Sequence, residues 1–263
     1  MAEALTARRL ALLATGGVAL TFVVVAASAL LRLATTLDAG GNATSRLPAT
    51  VEAITRLAHR ICASGVAIVA LAVMVVAFAS RPVPRARLAA IAVIVLLTAM
   101  LAAIGRYTPG YRFLPVTIAN ALGGIALACA FMWLRMQSTG GADVEGRTAV
   151  SRGAMLALAV VLAQAGVGTA ASALAMHGVR TLEPWHVASG FAVAGIAVAV
   201  AAYRYREAGA ARAWILALAL GQMGIGFVLA AADAQRGIPG AWVHAMLACA
   251  LALALTALAA RGR

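Results

Sequence analysis

Lysine is missing from this chain of 263 residues, and acidic side chains number only 8. All 21 basic residues are therefore arginines, and the formal charge of +13 rests on them alone. They stand singly or in small groups at the ends of apolar runs, not in the continuous stripe that tracks phosphates, which excludes nucleic acid as a partner. Cysteine is scarce as well. Cys62, Cys129 and Cys249 fall inside apolar runs without CxxC spacing, so a disulfide framework is excluded and each reads as a small buried apolar residue. The short alternating strands of an outer-membrane barrel are absent. Charged residues make up 11% of the chain and hydrophobic ones 64%, a ratio that excludes an ordinary soluble domain.

What the chain has instead is long apolar runs, at 10–31, 62–79, 86–104, 113–133, 153–175, 185–203, 214–232 and 241–260. A spanning helix takes about 20 apolar residues, and each run meets or approaches that length. The expected fold class is all-α: an integral membrane protein of eight transmembrane helices. With alternate connections assigned to alternate sides, 13 arginines share one side and 8 the other. The positive-inside bias then places both termini in the cytoplasm of a cell inner (plasma) membrane protein. The basic start, apolar run and Ala27-Ser28-Ala29 resemble a signal peptide, but the run exceeds the usual ~7–15 residues and reads as a retained first helix.

Internal parallels suggest a duplication. Ala26-Ala27-Ser28-Ala29-Leu30 ends the first helix as Ala170-Ala171-Ser172-Ala173-Leu174 ends the fifth. Pro109-Gly110 precedes helix four as Pro239-Gly240 precedes helix eight. A histidine followed by Ala-Ser-Gly opens helices two and six, with a different gap in each. The expected organisation is two pseudo-symmetric four-helix bundles, residues 1–136 and 153–263, joined by a polar cytoplasmic linker at 137–152. Four spans return the chain to its starting side, so the halves are expected to be related by an axis along the membrane normal. The longest outer connection, from Arg32 to Arg56, contains Asp38, Gly40, Gly41 and Asn42. Pro48 and Thr50 then read as the start of a helix two that projects about two turns beyond the bilayer.

Four histidines occur: His59, His177, His186 and His244. If both termini are inside, every even helix enters from the outer side, which puts His59, His186 and His244 at nearly one depth. Two imidazoles at one depth on neighbouring helices can ligate a haem iron from opposite faces. The alternative for each is a side chain that reaches the interface beside Trp185 or Trp242. His177, at the end of helix five, reads as interfacial. Gln164 and Gln222 lie within spans, where their amides need partners. Helix–helix hydrogen bonding is the simpler reading for both.

Gln164-Ala165-Gly166-Val167-Gly168 in helix five and Gly221-Gln222-Met223-Gly224-Ile225-Gly226 in helix seven, with eight spans in two halves and histidines opening even helices, resemble the haem A synthase family of cytochrome oxidase assembly. The resemblance covers nearly the whole chain and is strongest in its second half. It implies haem b on His186 and His244. It also implies a catalytic first half in which a methyl group of haem O is oxidised to the formyl of haem A, with His59 as an iron ligand. His59-Arg60 matches the end of that family's helix-two motif, but Arg56 stands at the motif glutamate, and the nearest carboxylate is Glu52. Helix four has no histidine; with the Pro-Gly pairs matched, Ala119 or Asn120 is taken to stand near the position facing His244. Arg56, Arg60 and Arg112 read either as partners of haem propionates or as headgroup contacts. Pairing of Glu52 with Arg56 at i+4 is the simpler structural expectation.

The leading functional expectation is a haem A synthase-like oxidoreductase whose catalytic candidates are Glu52 and His59. The cofactor-binding candidates are Arg56, Arg60, Arg112, Asn120, Gln164 and Gln222, and the metal ligands His186, His244 and His59. The alternative is a non-catalytic b-type cytochrome or oxidase-assembly protein. A transporter on parallel repeats would need a polar midplane site, and the spans offer only the two glutamines. The partners expected are the lipid bilayer, haem, a haem O synthase or oxidase-assembly protein, and further copies of the chain.

Overall fold

The structure, a computed structural model, describes residues 2–37, 43–80, 83–106, 113–139, 148–204, 209–231 and 237–261. Eight helices account for nearly all of them: α1 (Ala2–Ala34), α2 (Ala49–Ala79), α3 (Arg85–Gly105), α4 (Leu114–Thr139), α5 (Thr148–Ala175), α6 (Glu183–Arg204), α7 (Gly209–Ala231) and α8 (Ile238–Arg261). Each is long and apolar enough to cross a membrane, and the chain is a multi-pass membrane protein. The helices are rich in Ala and Leu, strong helix formers, and between their end turns they pair their backbone groups internally, as a lipid environment requires. Proline marks two starts. Pro48 and Pro84 cap α2 and α3 with extended backbone (ψ 141° and 139°), and their missing N–H groups are ones a helix start leaves unpaired anyway.

Helix neighbours follow one circuit in each half. α1 packs on α2, α2 on α3, α3 on α4 and α4 back on α1; α5, α6, α7 and α8 close a ring in the same order. Between the halves α4 meets α8, α1 meets α8, and α4 meets α5. Exchanging α1–α4 for α5–α8 maps every one of these contacts onto another or onto itself, as an isologous two-fold interface requires. The relation reaches individual residues. Leu20 and Gln164 are ten residues before the ends of the shared Ala-Ala-Ser-Ala-Leu stretches. A Cβ on Gly65 would stand 3.1 Å from the Leu20 side chain, and one on Gly190 would stand 3.1 Å from the Gln164 amide.

Two apolar cores result. In the first half, Val66, Ala70, Val73 and Ala77 form an i, i+4, i+7 stripe on α2 that faces Ile91 and Ile94 of α3 and Leu127, Phe131 and Leu134 of α4. The second core joins α5–α8 and takes in Ile125, Ala128 and Cys129 of α4, so α4 belongs to both. Cys129 and Cys249 are buried there, and all three cysteines are free. Large exposed side chains such as Ile68, Leu71, Val75 and Leu96 lie on the outward faces, where lipid would meet them.

The connection after α1 carries a feature not anticipated from sequence. β1 (Thr35–Leu37) and β2 (Ala43–Ser45) pair antiparallel, with Thr35 opposite Ser45 and Thr36 opposite Thr44. Two threonine hydroxyls meet across the pair at 3.1 Å, a favourable cross-strand contact. Asp38, Gly40, Gly41 and Asn42 lie outside the described residues, as do residues 140–147 of the expected linker. After α5, the Val179 amide bonds the Leu174 carbonyl and the Gly178 amide bonds that of Ala175, with Gly178 at φ +76°. This Schellman closure turns the chain sharply toward α6 and leaves His177 exposed at the helix end.

A hydrogen bond reaches directly between the halves: the Trp242 indole N–H of α8 donates to the Ala26 carbonyl of α1 at 2.8 Å. Trp242→Phe keeps most of the packing and removes that bond, an expected cost of about 0.5–1.5 kcal/mol. A lowered thermal midpoint in detergent checks it; an unchanged midpoint would mean the bond contributes nothing to holding the halves together.

Candidate functional site

A cavity of about 1270 Å³ is bounded by described residues from all eight helices and from the hairpin. It exceeds the ~300–1,000 Å³ typical of a pocket for one small ligand. His59, His186 and His244 all border it, as do Gln164, Gln222 and Asn120. The three histidines thus border one space, His186 and His244 near the starts of α6 and α8 and His59 ten residues after the start of α2.

In the second half the site is built from two helical hairpins of matching design. α5 carries Gln164 and, one turn later, Gly168; α7 carries Gln222 and Gly226. Residues four apart share a helix face. In both hairpins the histidine follows its glutamine by 22 positions. The Gln164 amide nitrogen reaches His186 Nδ1 at 3.0 Å and the His186 carbonyl at 2.7 Å. Its oxygen accepts from the Ser189 hydroxyl at 2.8 Å. On the other side the Gln222 amide nitrogen meets His244 Nε2 at 3.1 Å.

The glycines make room for the rings. A Cβ on Gly168 would lie 2.5 Å from His186 Cε1, and one on Gly226 would lie 3.1 Å from His244 Cε1. Each imidazole therefore leans its Cε1 edge on a glycine while the glutamine one turn earlier holds a ring nitrogen. The two hairpins differ in one residue. Three positions after His186 stands Ser189; three positions after His244 stands Leu247. The Gln222 oxygen consequently has no partner, and neither does His244 Nδ1, although both are buried.

The two ring centres are 6.1 Å apart with planes at 88°. An imidazole nitrogen binds a transition metal at about 2.0–2.1 Å and lies about 1.1 Å from its ring centre, so a metal held between two imidazoles separates the centres by roughly 6.2–6.4 Å. The observed spacing is close to that range and is also that of an edge-to-face contact between the two rings. Among the described residues no group of three or more His, Cys, Asp or Glu gathers into a cage for a bare ion. A porphyrin brings four nitrogens of its own and asks the protein for two, so a pair of imidazoles beside a large cavity fits haem better than a free cation.

The first half is arranged differently. His59 borders the cavity on α2 but has no hydrogen-bond partner among the described residues. Glu52 pairs with Arg56, whose Nε donates to the carboxylate at 2.8 Å, at the exposed start of α2. That i, i+4 pair is the one expected from spacing, and it ties up the carboxylate nearest to His59 in sequence. Arg56 and Arg60 border the cavity too; Arg112 lies outside the described residues. Counted from the Pro-Gly pairs, the residue matching His244 is Leu114 rather than Asn120. Asn120 lies six residues deeper along α4, half-buried against the cavity. Matching the two Ala-Ser-Gly stretches puts Ile61 at the place of His186 and leaves His59 two residues earlier. The first half therefore contains no copy of the glutamine–histidine arrangement: Leu20 stands where Gln164 does.

Sequence reasoning placed the glutamines in helix–helix hydrogen bonds without finding that the acceptors are the histidines themselves. The equal spacing of 22 residues in the two hairpins was the available signal. Ser189 went unnoticed; its signal was its position three residues after His186. No protein-family model matches this chain, and no curated protein matches it.

Proposed function

We propose that this chain is a haem-carrying membrane oxidoreductase of the haem A synthase kind, with haem b held between His186 and His244. The observation that carries the reading is the 6.1 Å separation of the two ring centres beside a cavity large enough for a macrocycle. A haem iron with two nitrogen ligands is low-spin and passes single electrons. The chain's own contribution is to aim the two imidazoles, through Gln164 and Gln222, and to keep their Cε1 edges seated on Gly168 and Gly226. Arg56 and Arg60, at the cavity border, suit carboxylates such as haem propionates.

In this reading the substrate, haem O, occupies the first-half end of the same cavity beside His59, and dioxygen oxidises its methyl group to the formyl of haem A, with the oxygen not retained in the formyl leaving as water. Glu52 serves this chemistry only after release from Arg56. The setting proposed is the plasma membrane with both termini cytoplasmic, in company with a haem O synthase or oxidase-assembly protein, and with further copies of the chain. Co-expression with a source of haem O, followed by analysis of extracted haems, tests the catalytic claim. Hydroxylated or formyl haem is the expected product, and His59→Ala should abolish it while leaving the haem b spectrum intact. Recovery of unaltered haem O alone from the wild type rejects it.

A second reading is favoured by two observations: Glu52 is engaged by Arg56, and Leu20 replaces the imidazole-holding amide in the first half. It makes the chain a non-catalytic b-type cytochrome or assembly protein with a single haem per chain. A pyridine-haemochrome spectrum with a haem-to-protein ratio separates the two.

A further inference from the structure

Three hydroxyl side chains meet the first-half end of the cavity at one depth. Leu20 of α1 packs against Gly65 of α2, where a Cβ would stand 3.1 Å from it. Consecutive spans run antiparallel, so Thr21 and Ser64 stand level with one another. Val25 of α1 meets Gly124 of α4, and Leu101 of α3 meets Gly123. Counting along the helices from these contacts, at about 1.5 Å per residue, puts Thr98 of α3 within about 3 Å of the same level. Thr21, Ser64 and Thr98 all border the cavity.

Threonines elsewhere in the spans give their hydroxyls to their own helix. Thr15 and Thr256 donate to the carbonyl four residues back, as Thr98 does while keeping its oxygen able to accept. Thr21 does not. Its side chain is 1% exposed and its hydroxyl has no partner, a costly state that a partner from outside the chain would relieve. Ser64 makes no hydrogen bond among the described residues either. The second half has no such pair to offer. The shared Ala-Ala-Ser-Ala-Leu stretches match Thr21 to Ala165, and the Ala-Ser-Gly stretches match Ser64 to Ser189. The Ser189 hydroxyl is already given to the Gln164 oxygen at 2.8 Å.

Ser64 follows His59 by five residues and Arg56 by eight, about 7.5 Å and about 12 Å along α2. A macrocycle beside His59 with its carboxylates at Arg56 and Arg60 therefore turns its opposite edge toward these hydroxyls. On that edge haem O carries a hydroxyalkyl side chain where haem B carries a vinyl group. We propose that Thr21 and Ser64, with Thr98 beside them, form a specificity subsite that hydrogen-bonds the side-chain hydroxyl of haem O and so sorts the two haems between the two ends of the cavity. This rests on the reading of haem O beside His59 and adds which part of the molecule is recognised, and by what.

The test titrates the full chain in detergent with haem O and with haem B, following the equivalent bound beyond the one held by His186 and His244. Thr21→Val and Ser64→Ala should each weaken that second equivalent of haem O by roughly 2–10-fold, the worth of one neutral hydrogen bond, and leave haem B unchanged. Thr21→Val nearly keeps the side chain's volume and removes an unpaired hydroxyl, so the thermal midpoint without ligand should hold or rise. A threonine that serves packing alone would lower the midpoint and leave haem O affinity as it was. Haem O affinity unchanged in both variants, or haem O and haem B weakened alike, overturns the subsite while leaving haem O binding, and so the proposed function, standing. A wild type that takes up no second equivalent of either haem overturns both.

Discussion

On the proposed haem reading, Gly168→Val should empty the second-half site while the chain still folds. Its Cβ would lie 2.5 Å from His186 Cε1 and 3.0 and 3.1 Å from the two ring nitrogens, closer than atoms pack without displacement. The ring cannot retreat freely, because Gln164 holds both its Nδ1 and the carbonyl behind it. Displacing a ligand from its support typically lowers metal affinity by about 10–100-fold, and a direct clash should reach the upper end. Gly226→Ala, whose nearest contact is 3.1 Å, should lose less, and Gly224→Ala, with nothing within 4 Å, should lose nothing. The haem-to-protein ratio of the three purified variants reads this directly. Wild-type haem content in Gly168→Val would mean that the imidazole is not seated where the structure has it.

The second large effect is on stability and lies far from the histidines. Gly17 of α1 faces Phe131 of α4, and an added Cβ would stand 2.4–2.7 Å from three atoms of its ring. Phe131 is fully buried, the largest such side chain in the molecule's described part, so the ring has nowhere to turn. Overpacking typically costs about 1–3 kcal/mol, and Gly17→Val is expected at or above the top of that range. Its neighbour Gly16 has nothing within 4 Å, so Gly16→Val should be nearly silent. Thermal denaturation in detergent compares the two. Combining Gly17→Ala with Phe131→Leu should recover much of the loss; failure to recover would locate the damage elsewhere than in this contact.

The architecture was readable because its causes are local. Apolar runs long enough to span force helices, and two prolines mark two of the starts. The shared depth of His186 and His244 follows from counting spans, since a histidine near the start of any even helix must sit at the same end. The β1–β2 hairpin was not readable, because three-residue strands carry too little periodicity to stand out between Arg32 and Arg56. Asn120 was placed by a register that direct counting moves to Leu114. What pairs with Gln164 depends on the rotation of α5 against α6, which no span length records. The extent of the cavity was likewise hidden, because it depends on how all eight helices leave space among them. Within the second half, however, the repeated Gln-x-Gly-x-Gly with a histidine 22 positions on had already named the parts, if not their assembly.

The exchange of α1–α4 with α5–α8 leaves every described helix contact in place, which is the arrangement a fused pair of once-identical subunits would have. A pair of separate copies must change in step, since each mutation appears twice. Joined in one polypeptide, the copies are released from that constraint. One can keep a pair of opposed imidazoles on hairpins with amide supports, while its twin sheds them and shapes the shared interior for a different guest.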